Sequence, residues 1–221
     1  MLYHWLNKQN NKNLIVFFAG WSFDYNPFKF LACDNFDVII FYDYNNLESD
    51  FDFNQFDIYS SKYLITWSMG VYCAYLIKDK FNNFDKKIAI NGTPFPVDDK
   101  LGIPVKPFLL TLKHAEKGLE GKFYKNLFNS ENEYKNYTNS QVMRTIENRV
   151  DELQSLYKRI LSTERTYEKF YDLAIVSTCD KIVPPNNQTN CWREYDVDIQ
   201  YVENGHFPYY NYTYWNELLC L

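Results

Sequence analysis

The stretch Tyr63–Phe81, with the sequence YLITWSMGVYCAYLIKDKF, decides the fold of this 221-residue chain. It opens on a short apolar run, Tyr63–Thr66, whose length and composition predict a buried strand. After a turn, Gly70–Phe81 spaces its apolar residues as a helix does, and a further apolar run, Ile88–Ile90, follows. Strand, tight turn, helix and strand make a βαβ unit, which predicts an α/β fold.

Other short apolar runs continue this pattern along the chain. They are continuous rather than alternating, as expected for strands of a parallel sheet that are buried on both faces. These runs are Leu14–Phe18, Val38–Tyr42, Leu173–Ser177 and Ile199–Val202. With the βαβ unit they predict a mostly parallel central sheet flanked by helices.

Glycines mark the ends of the predicted strands. Four of the seven glycines lie there: Gly20, Gly70, Gly92 and Gly205. In open α/β sheets the ligand crevice lies at the carboxyl ends of the strands. Any one of these glycines suits an ordinary turn, whereas the four together favour the rim of an active site.

Residues from about 105 to 170 interrupt the strands with helical patterns. One predicted helix contains Leu109, Leu110 and Leu112, and another contains Phe123, Leu127 and Phe128. The third has apolar residues at three- and four-residue steps, namely Val142, Met143, Ile146, Val150, Leu153, Tyr157 and Ile160. No internal repeat, linker or second core is visible. We therefore predict a single domain, residues 1–221, with a helical cap inserted at about 105–170.

The composition argues against several classes of protein. A formal net charge of −5 disfavours nucleic-acid binding through global electrostatics. No apolar run approaches the roughly 20 residues that span a bilayer, and the N-terminal residues lack the apolar stretch of a signal peptide. We expect a cytoplasmic protein that contacts neither nucleic acid nor membrane.

The pattern of the cysteines and the absence of known nucleotide-binding and metal-binding motifs predict no bound cofactor or metal. The five cysteines are scattered and lack CxxC spacing, which favours reduced, mostly buried thiols over a disulfide framework or a structural zinc site. The chain has no GxGxxG, P-loop or HExxH motif, so nucleotide-binding and zinc-peptidase interpretations lack support.

The turn within the βαβ unit, Thr66-Trp67-Ser68-Met69-Gly70, carries the first chemical motif. It is similar to the nucleophile elbow G-x-S-x-G of α/β-hydrolases, in which a strained turn between strand and helix exposes the serine hydroxyl. Gly70 fits this pattern. Thr66 departs from the usual glycine, and its β-branched side chain is expected to crowd the turn. The motif predicts Ser68 as a nucleophile.

Three histidines could serve as the base for this serine. His4 precedes the first predicted strand, where a terminal or surface role is expected. His114 lies beside lysines in the helical block, which indicates a solvated cationic face. His206 follows a late strand, and the triad of α/β-hydrolases runs in the order serine, acid, histidine. This order predicts His206 as the general base.

The acid of the triad is predicted at Asp180, just past a buried strand and before two prolines that stiffen the loop. A carboxylate there can accept the imidazole N–H and stabilise the imidazolium. Asp172 would lie at the opposite end of that strand, and Asp196 and Asp198 suit a surface connection. A simple turn aspartate is the alternative for Asp180.

An ester hydrolase also needs two backbone N–H groups aimed at the developing oxyanion. One is predicted from Met69, the residue after the nucleophile. The other is predicted from Trp21, in the loop Ala19–Ser22 that follows the first predicted strand.

Four motifs together resemble one family. They are Phe17–Ser22, Trp67–Val71, Asn91–Pro94 and Gly205–Pro208. In this order they are similar to the BioG-type esterases of the pimeloyl-acyl-carrier-protein methyl ester, over most of the chain and least across the helical block. The resemblance implies hydrolysis of that methyl ester in the formation of the biotin precursor, with an acyl-carrier protein as partner.

The charge distribution bears on that partner. Residues 101–170 carry 12 Lys and Arg against 9 Asp and Glu, whereas the rest of the chain carries 11 against 19. Since acyl-carrier proteins are acidic, the basic residues of the cap are candidates for docking one. They are Lys113, Lys117, Lys122, Lys125, Arg144, Arg149, Lys158 and Arg159. A solvated amphipathic cap would look the same.

Other functions remain compatible with the same residues. A thioesterase or a general short-chain esterase would use the same triad, because substrate selectivity depends on the pocket. A non-catalytic α/β-hydrolase that only binds a ligand or carrier is a further alternative. The sequence predicts no oligomeric state.

Overall fold

A computed structural model describes residues 1–119 and 121–220. Glu120 and Leu221, which belong to the predicted cap and domain, lie outside the described residues. The strands are β1 (Leu2–Asn7), β2 (Asn13–Phe18), β3 (Phe36–Tyr42), β4 (Ser61–Trp67), β5 (Lys86–Ile90), β6 (Leu173–Ser177) and β7 (Asp198–Val202). They form one sheet with the order β1-β3-β2-β4-β5-β6-β7.

All neighbouring strands except β1 and β3 are parallel. The central strands are buried on both faces, as in β2, where Leu14–Phe18 has no exposed surface. This is why these strands have continuous apolar sequences. The predicted α/β fold with a mostly parallel sheet is confirmed.

The first strand is missing from the sequence-based interpretation. β1 is an antiparallel edge strand that pairs with β3, with an irregularity between Trp5 and Asn7. It is partly exposed, so it lacks the continuous apolar run that identifies the others. His4 was expected before the first strand, which is wrong. It lies within β1, and its ring stacks on that of Tyr25.

The helices also differ in detail from the sequence-based pattern. They are α1 (Met69–Leu76), α2 (Val105–Leu119), α3 (Lys122–Lys125), α4 (Glu131–Asn139), α5 (Ile146–Ser162) and α6 (Pro185–Glu194). The predicted helix at 70–81 ends at Leu76 and is continued by a separate 3₁₀ turn, Lys78–Phe81. α6 was not predicted; it begins at the second proline of Pro184-Pro185, a favoured first helical residue.

Helices α2–α5 lie between β5 and β6 in the chain, where the cap was predicted. The longest of them, α5, begins later than the apolar stripe suggested. Thr145 is its N-cap and accepts a hydrogen bond from the backbone of Asn148, and Met143 is exposed. Phe108 of α2 and Leu153 and Leu156 of α5 belong to the same buried cluster as the sheet residues. This shared core supports our proposal of one domain with an inserted cap.

The amino end of the sheet contains a buried carboxylate. Asp37 at the start of β3 accepts hydrogen bonds through Oδ1 from the backbone N–H groups of Gln9 and Asn11, at 2.9 and 3.2 Å, and from Asn11 Nδ2 at 2.9 Å. Its Oδ2 accepts the Tyr59 hydroxyl at 2.8 Å. These bonds fasten the turn between β1 and β2 to the sheet.

Within residues 1–119 and 121–220, no helix combines the length and apolarity needed to cross a membrane. The same residues contain no group of three or more histidine, cysteine or acidic side chains placed to hold a metal ion. The five cysteines are free thiols, of which Cys73 and Cys191 are buried.

Candidate active site

Ser68 occupies a strained turn between β4 and α1. Its backbone has φ 55° and ψ −124°, a conformation that costs free energy for a residue with a side chain. The neighbouring Gly70 permits the turn, because a Cβ there would lie 2.4 Å from the carbonyl oxygen of Phe18 and 2.5 Å from that of Ala19. The turn therefore presses the start of α1 against the loop after β2.

Thr66 fits this turn without the expected crowding. It belongs to β4, is fully buried, and donates its hydroxyl to the carbonyl of Ile88 in β5 at 3.1 Å. Because Thr66 has extended strand backbone and a partner for its hydroxyl, the absence of glycine at this position leaves the elbow intact.

The structure brings Ser68, His206 and Asp180 into one hydrogen-bonded chain. Ser68 Oγ lies 2.8 Å from His206 Nε2, and His206 Nδ1 lies 2.8 Å from Asp180 Oδ2. The three residues are 9%, 2% and 6% exposed, so the chain is shielded from water but reachable at the serine. A base positioned this way can withdraw the proton of the hydroxyl.

Asp180 is held by donors on both of its oxygens. Oδ1 accepts the backbone N–H groups of Ile182 and Val183 at 2.8 and 3.0 Å. Oδ2 accepts Gln188 Nε2 at 3.0 Å in addition to His206. These bonds fix the carboxylate, which in turn fixes the orientation of the imidazole.

The loop that carries His206 is fixed through its backbone carbonyl. Trp67 Nε1 donates to the carbonyl of His206 at 2.7 Å, and Asn91 Nδ2 donates to the same oxygen at 3.0 Å. Asn91 also bonds Ser177 at the end of β6, donating to its hydroxyl at 2.8 Å and accepting its backbone N–H at 2.8 Å. Asn91 thus links the ends of β5 and β6 with the histidine loop.

An aromatic cluster supports the three loops of the site. The ring of Trp67 lies 4.8 Å from that of Phe23 and 5.4 Å from that of Phe207, and Phe23 and Phe207 are 5.6 Å apart. Each such pair stabilises by about 0.5–1.5 kcal/mol beyond the burial of its surface. The cluster joins the loop after β2, the serine turn and the histidine loop.

Met69 directly follows Ser68 in the chain, and Trp21 and Met69 both line the pocket that contains the serine. Among the residues that the structure describes, neither backbone N–H has a hydrogen-bond partner. Met69 is the first residue of α1, where the helix dipole favours negative charge. Both N–H groups are therefore available to an oxyanion.

A buried carboxylate from the cap holds the loop that contains Trp21. Glu152 of α5 is fully buried, and its Oε2 accepts the backbone N–H of Ser22 at 3.1 Å. Its Oε1 accepts the backbone N–H of Tyr44 at 2.8 Å, and Arg144 Nη1 lies 2.8 Å from Oε2. Burial raises the pKa of Glu152, and although Arg144 and the two backbone donors oppose this, its pKa remains above the ordinary value.

A cavity of about 500 Å³ opens above the serine. Ser68, His206, Trp21 and Met69 lie at its base, and apolar residues of the cap form its walls. The wall residues include Phe108, Leu110, Leu119, Phe123 and Leu153. Such a cavity can hold an extended apolar chain with its reactive end at Ser68.

Polar side chains also line this cavity. His114 belongs to its lining, at a residue of α2 whose backbone is not helical, and the residue is exposed, in agreement with the expected solvated face. Lys122 of α3 and Lys181 of the loop after β6 line it too, and both are exposed.

The basic residues predicted to dock a carrier separate into exposed and internal ones. The exposed ones are Lys113, Lys117, Lys122, Lys125 and Lys158. Arg144 is turned inward to Glu152, and Arg149 is 8% exposed and donates to the Tyr124 hydroxyl at 2.6 Å. Arg159 is half-buried, and its Nε is buried. The expectation that Arg144 faces a partner is therefore wrong, and Arg149, which flanks the apolar stripe and had an inward orientation as its alternative, is internal.

Three supporting residues were not found from the sequence. Asn91 directly follows a buried strand, which is a signal for a residue at the crevice. Gln188 lies on α6, whose proline start was not used to predict a helix. Glu152 lies next to the apolar stripe of α5 and resembles an ordinary solvent-facing residue until the sheet is placed beneath it.

Comparisons with known proteins identify a matching family and similar proteins. A family model described as "Pimeloyl-ACP methyl esterase BioG" (ACP, acyl-carrier protein) matches residues 1–218. The chain is 34% identical over 200 residues to malonyl-(acyl-carrier protein) O-methyltransferase of Bacteroides fragilis. That match covers 89% of this chain but only 40% of the relative, so the chain spans less than half of that protein's length.

Solved structures give the same picture of the fold. The crystal structure of BioG from Haemophilus influenzae has a TM-score of 0.87 and 29% identity, with 99% of both chains covered. MGS-M2, an α/β-hydrolase enzyme from a Medee basin deep-sea metagenome library, has a TM-score of 0.59 at 13% identity, covering 93% of this chain and 86% of that one. The chain therefore belongs to the pimeloyl-ACP methyl esterase BioG family and is an esterase with the α/β-hydrolase fold.

Proposed function

We propose that this esterase hydrolyses the methyl ester of pimeloyl-acyl-carrier protein, through an acyl-enzyme on Ser68, in the formation of the biotin precursor. The observation that carries the proposal is the hydrogen-bonded chain of Ser68, His206 and Asp180 at the base of an apolar cavity. Membership of the BioG family supplies the substrate class.

In the first half-reaction, His206 Nε2 accepts the proton of Ser68 as its Oγ attacks the ester carbonyl. Asp180 stabilises the imidazolium that forms. The carbonyl oxygen becomes an oxyanion, for which the N–H groups of Trp21 and Met69 are the proposed donors. The carbon–oxygen bond to the alkoxy group then breaks, and His206 gives its proton to the departing methanol.

In the second half-reaction, a water molecule takes the place of the methanol. His206 removes one of its protons as the water attacks the acyl-enzyme. Collapse of the second tetrahedral intermediate breaks the bond to Ser68 Oγ, which regains a proton from His206. The product is the free carboxylic acid of the acyl chain, which releases its proton to solvent and leaves as the carboxylate, with the enzyme restored.

The cavity supports a long acyl group. Its walls are apolar side chains of α2, α3 and α5, which suit methylene groups, whereas Lys122 and Lys181 contribute cations to its lining. An acyl chain that starts at Ser68 and runs along these walls would leave its thioester end near the exposed part of the cap. A carrier protein attached there would face the lysines of α2 and α3.

Replacing the proposed nucleophile tests the catalytic assignment. Ser68→Ala should lower turnover of a methyl ester about a millionfold, because loss of a triad serine removes the covalent route. A fluorophosphonate probe should label the natural enzyme and not the variant, while circular dichroism should show the same fold for both. Substantial activity of the purified variant would contradict the assignment.

Exposed charges on the cap test the proposed carrier. The double variant Lys113→Glu/Lys117→Glu should raise KM for the carrier-linked ester and weaken its salt dependence, because charges at a rim mainly speed association. Turnover of a small neutral ester should stay the same. Lys8→Glu/Lys12→Glu makes the same change of charge with exposed residues near the amino end of the sheet and is the matched control.

Two outcomes of that experiment would contradict carrier docking on α2. Equal losses on the small and the carrier-linked ester would make these lysines structural, and unchanged kinetics on the carrier-linked ester would place docking elsewhere.

Assays with acyl thioesters and short-chain esters beside the methyl ester distinguish the thioesterase and general esterase alternatives. A natural enzyme that fails to react with the fluorophosphonate probe or with any ester would favour a binding protein.

A further inference from the structure

A second, much smaller cavity adjoins Ser68. Its volume is about 10 Å³, which is room for a group of about the size of one water molecule. Besides Ser68 and Met69 it is lined by Gly92, Thr93, Pro96, Ile103 and Val183. Ser68, Met69 and Ile103 line both this cavity and the large one, so the serine stands between a long space and a short one.

One wall of the small cavity is formed by the loop 96–103, which is held by hydrogen bonds. Ile103 N–H donates to the carbonyl of Pro96 at 3.0 Å, and the N–H of Asp98 donates to the carbonyl of Ile103 at 2.9 Å. Asn187 Nδ2 of α6 donates to the carbonyl of Gly102 at 2.8 Å. The loop is thus closed on itself and fastened to a helix, so Pro96 and Ile103 resist displacement by a ligand.

Another wall of the small cavity belongs to the loop that contains the triad acid, Asp180. Val183 is 3% exposed, its N–H donates to Asp180 Oδ1 at 3.0 Å, and its carbonyl accepts Gln188 Nε2 at 2.9 Å. Moving Val183 to admit a larger group would disturb one bond to the triad acid and one bond to Gln188, which itself donates to that acid. Both walls therefore limit the size of what can lie beside the serine.

We propose that this small cavity is the alcohol subsite, which admits a methoxy group and rejects longer alkoxy groups. The proposal rests on the function proposed above. An ester bound at Ser68 has an oxygen for the oxyanion donors and two further substituents, the acyl chain and the alkoxy group. The long chain fits only the large cavity, which leaves the small one for the alkoxy group.

The rejected group differs from the accepted one by a single methylene. One methylene more than a pocket can hold typically costs tenfold or more in kcat/KM. We expect kcat/KM of the natural enzyme to fall at least about tenfold from methyl to ethyl ester, and further to propyl ester, for one and the same acyl group. The specificity-determining residues are Ile103 and Val183, whose side chains can be shortened without removing any group of the triad.

The test compares methyl, ethyl, propyl and butyl esters of one medium-length acid, together with acetate esters of long alcohols. Val183→Ala and, separately, Ile103→Ala should raise kcat/KM for the propyl ester at least about tenfold relative to the methyl ester. Two walls are varied because either variant alone could fold poorly. Leu110→Ala, which alters only the large cavity, is the control and should leave the ratio between alkoxy groups unchanged.

Two results would overturn the alcohol subsite while leaving the proposed nucleophile in place. The first is equal kcat/KM of the natural enzyme for methyl and butyl esters, which would mean that the small cavity holds only water and no alkoxy group. The second is a preference for acetates of long alcohols, which would make the small cavity an acyl subsite. Ester hydrolysis that survives Ser68→Ala is a different failure, since it contradicts the proposed function itself.

Discussion

Two buried aspartates lie at opposite ends of the same sheet, and each accepts four hydrogen bonds. Asp180 follows β6 at the carboxyl end, and its donors include the imidazole of His206. Asp37 is the second residue of β3, at the amino end, and its donors are amides and the Tyr59 hydroxyl. A carboxylate that accepts four hydrogen bonds therefore fixes a chain turn at one end of the sheet and the imidazole of His206 at the other. Only the imidazole lies within reach of a serine.

The largest difference between the two ends is expected for Asp180→Asn. An asparagine that accepts Ile182 and Val183 with its oxygen would point its NH₂ group toward His206 Nδ1, which favours the wrong tautomer. Turnover should fall about ten-thousandfold with the fold retained. Steady-state hydrolysis of a methyl ester measures this, and Asp37→Asn is the matched control. Comparable losses of turnover in both variants would break the comparison.

The position of the candidate triad at the carboxyl end of the sheet can be predicted from the sequence, because each of its residues lies shortly after a strand in the chain. Ser68 directly follows β4, Asp180 and His206 come a few residues after the ends of β6 and β7, and parallel strands bring such residues to one edge. The amino end gives no comparable signal: Asp37 resembles any polar residue beside a strand, and its donors come from the unpredicted β1–β2 turn and from Tyr59.

The residues that brace the site are also hard to predict, for a related reason. Glu152 and Arg144 have meaning only once α5 lies across the loops after β2 and β3, and a helix pattern alone leaves a charged residue beside the apolar stripe looking solvated. The small cavity beside Ser68 depends on the closed loop around Ile103, whose backbone bonds have no sequence signature. Long-range packing decides these features.

A moderate effect is expected for Glu152→Gln, which changes the carboxyl end without touching the triad. A glutamine cannot accept from Ser22, Tyr44 and Arg144 together, so the loop that carries the Trp21 N–H should lose its fixed position. We expect kcat to fall about 10- to 100-fold, less than the loss of a whole oxyanion donor, with KM little changed. Glu147→Gln, an exposed change on the same helix, is the control.

Two readouts separate positioning from simple loss of stability in that variant. Kinetics should be measured well below the unfolding temperature, where the folded fraction is complete by circular dichroism. The affinity for a boronate that mimics the tetrahedral intermediate should fall with kcat, because both depend on the oxyanion donors. A rise in KM with unchanged kcat would instead mean that Glu152 shapes the pocket.

Asp37→Asn is expected to have the smallest effect on turnover: each folded molecule should turn over substrate at the natural rate. This substitution should instead lower the stability of the fold. Burial alone would raise the pKa of Asp37, but the hydrogen bonds from Gln9, Tyr59 and Asn11 outweigh it and hold the pKa below its ordinary value. An asparagine must turn an NH₂ group toward one of these donors. The free energy of unfolding at neutral pH should fall by about 1–3 kcal/mol, measured by urea denaturation.

The pH dependence gives this last prediction its sign. Because the folded-state pKa of Asp37 is lowered, its stabilisation is present above the ordinary carboxylate pKa of about 3.9 and is lost as the pH falls through the lower, folded value. The stability of the natural protein should therefore approach that of Asp37→Asn as the solution becomes more acidic. A difference that stays constant down to the acid limit would mean that shape, rather than the charge of Asp37, fastens the amino end. Any loss of turnover in the fully folded variant would show that the two ends of the sheet are coupled.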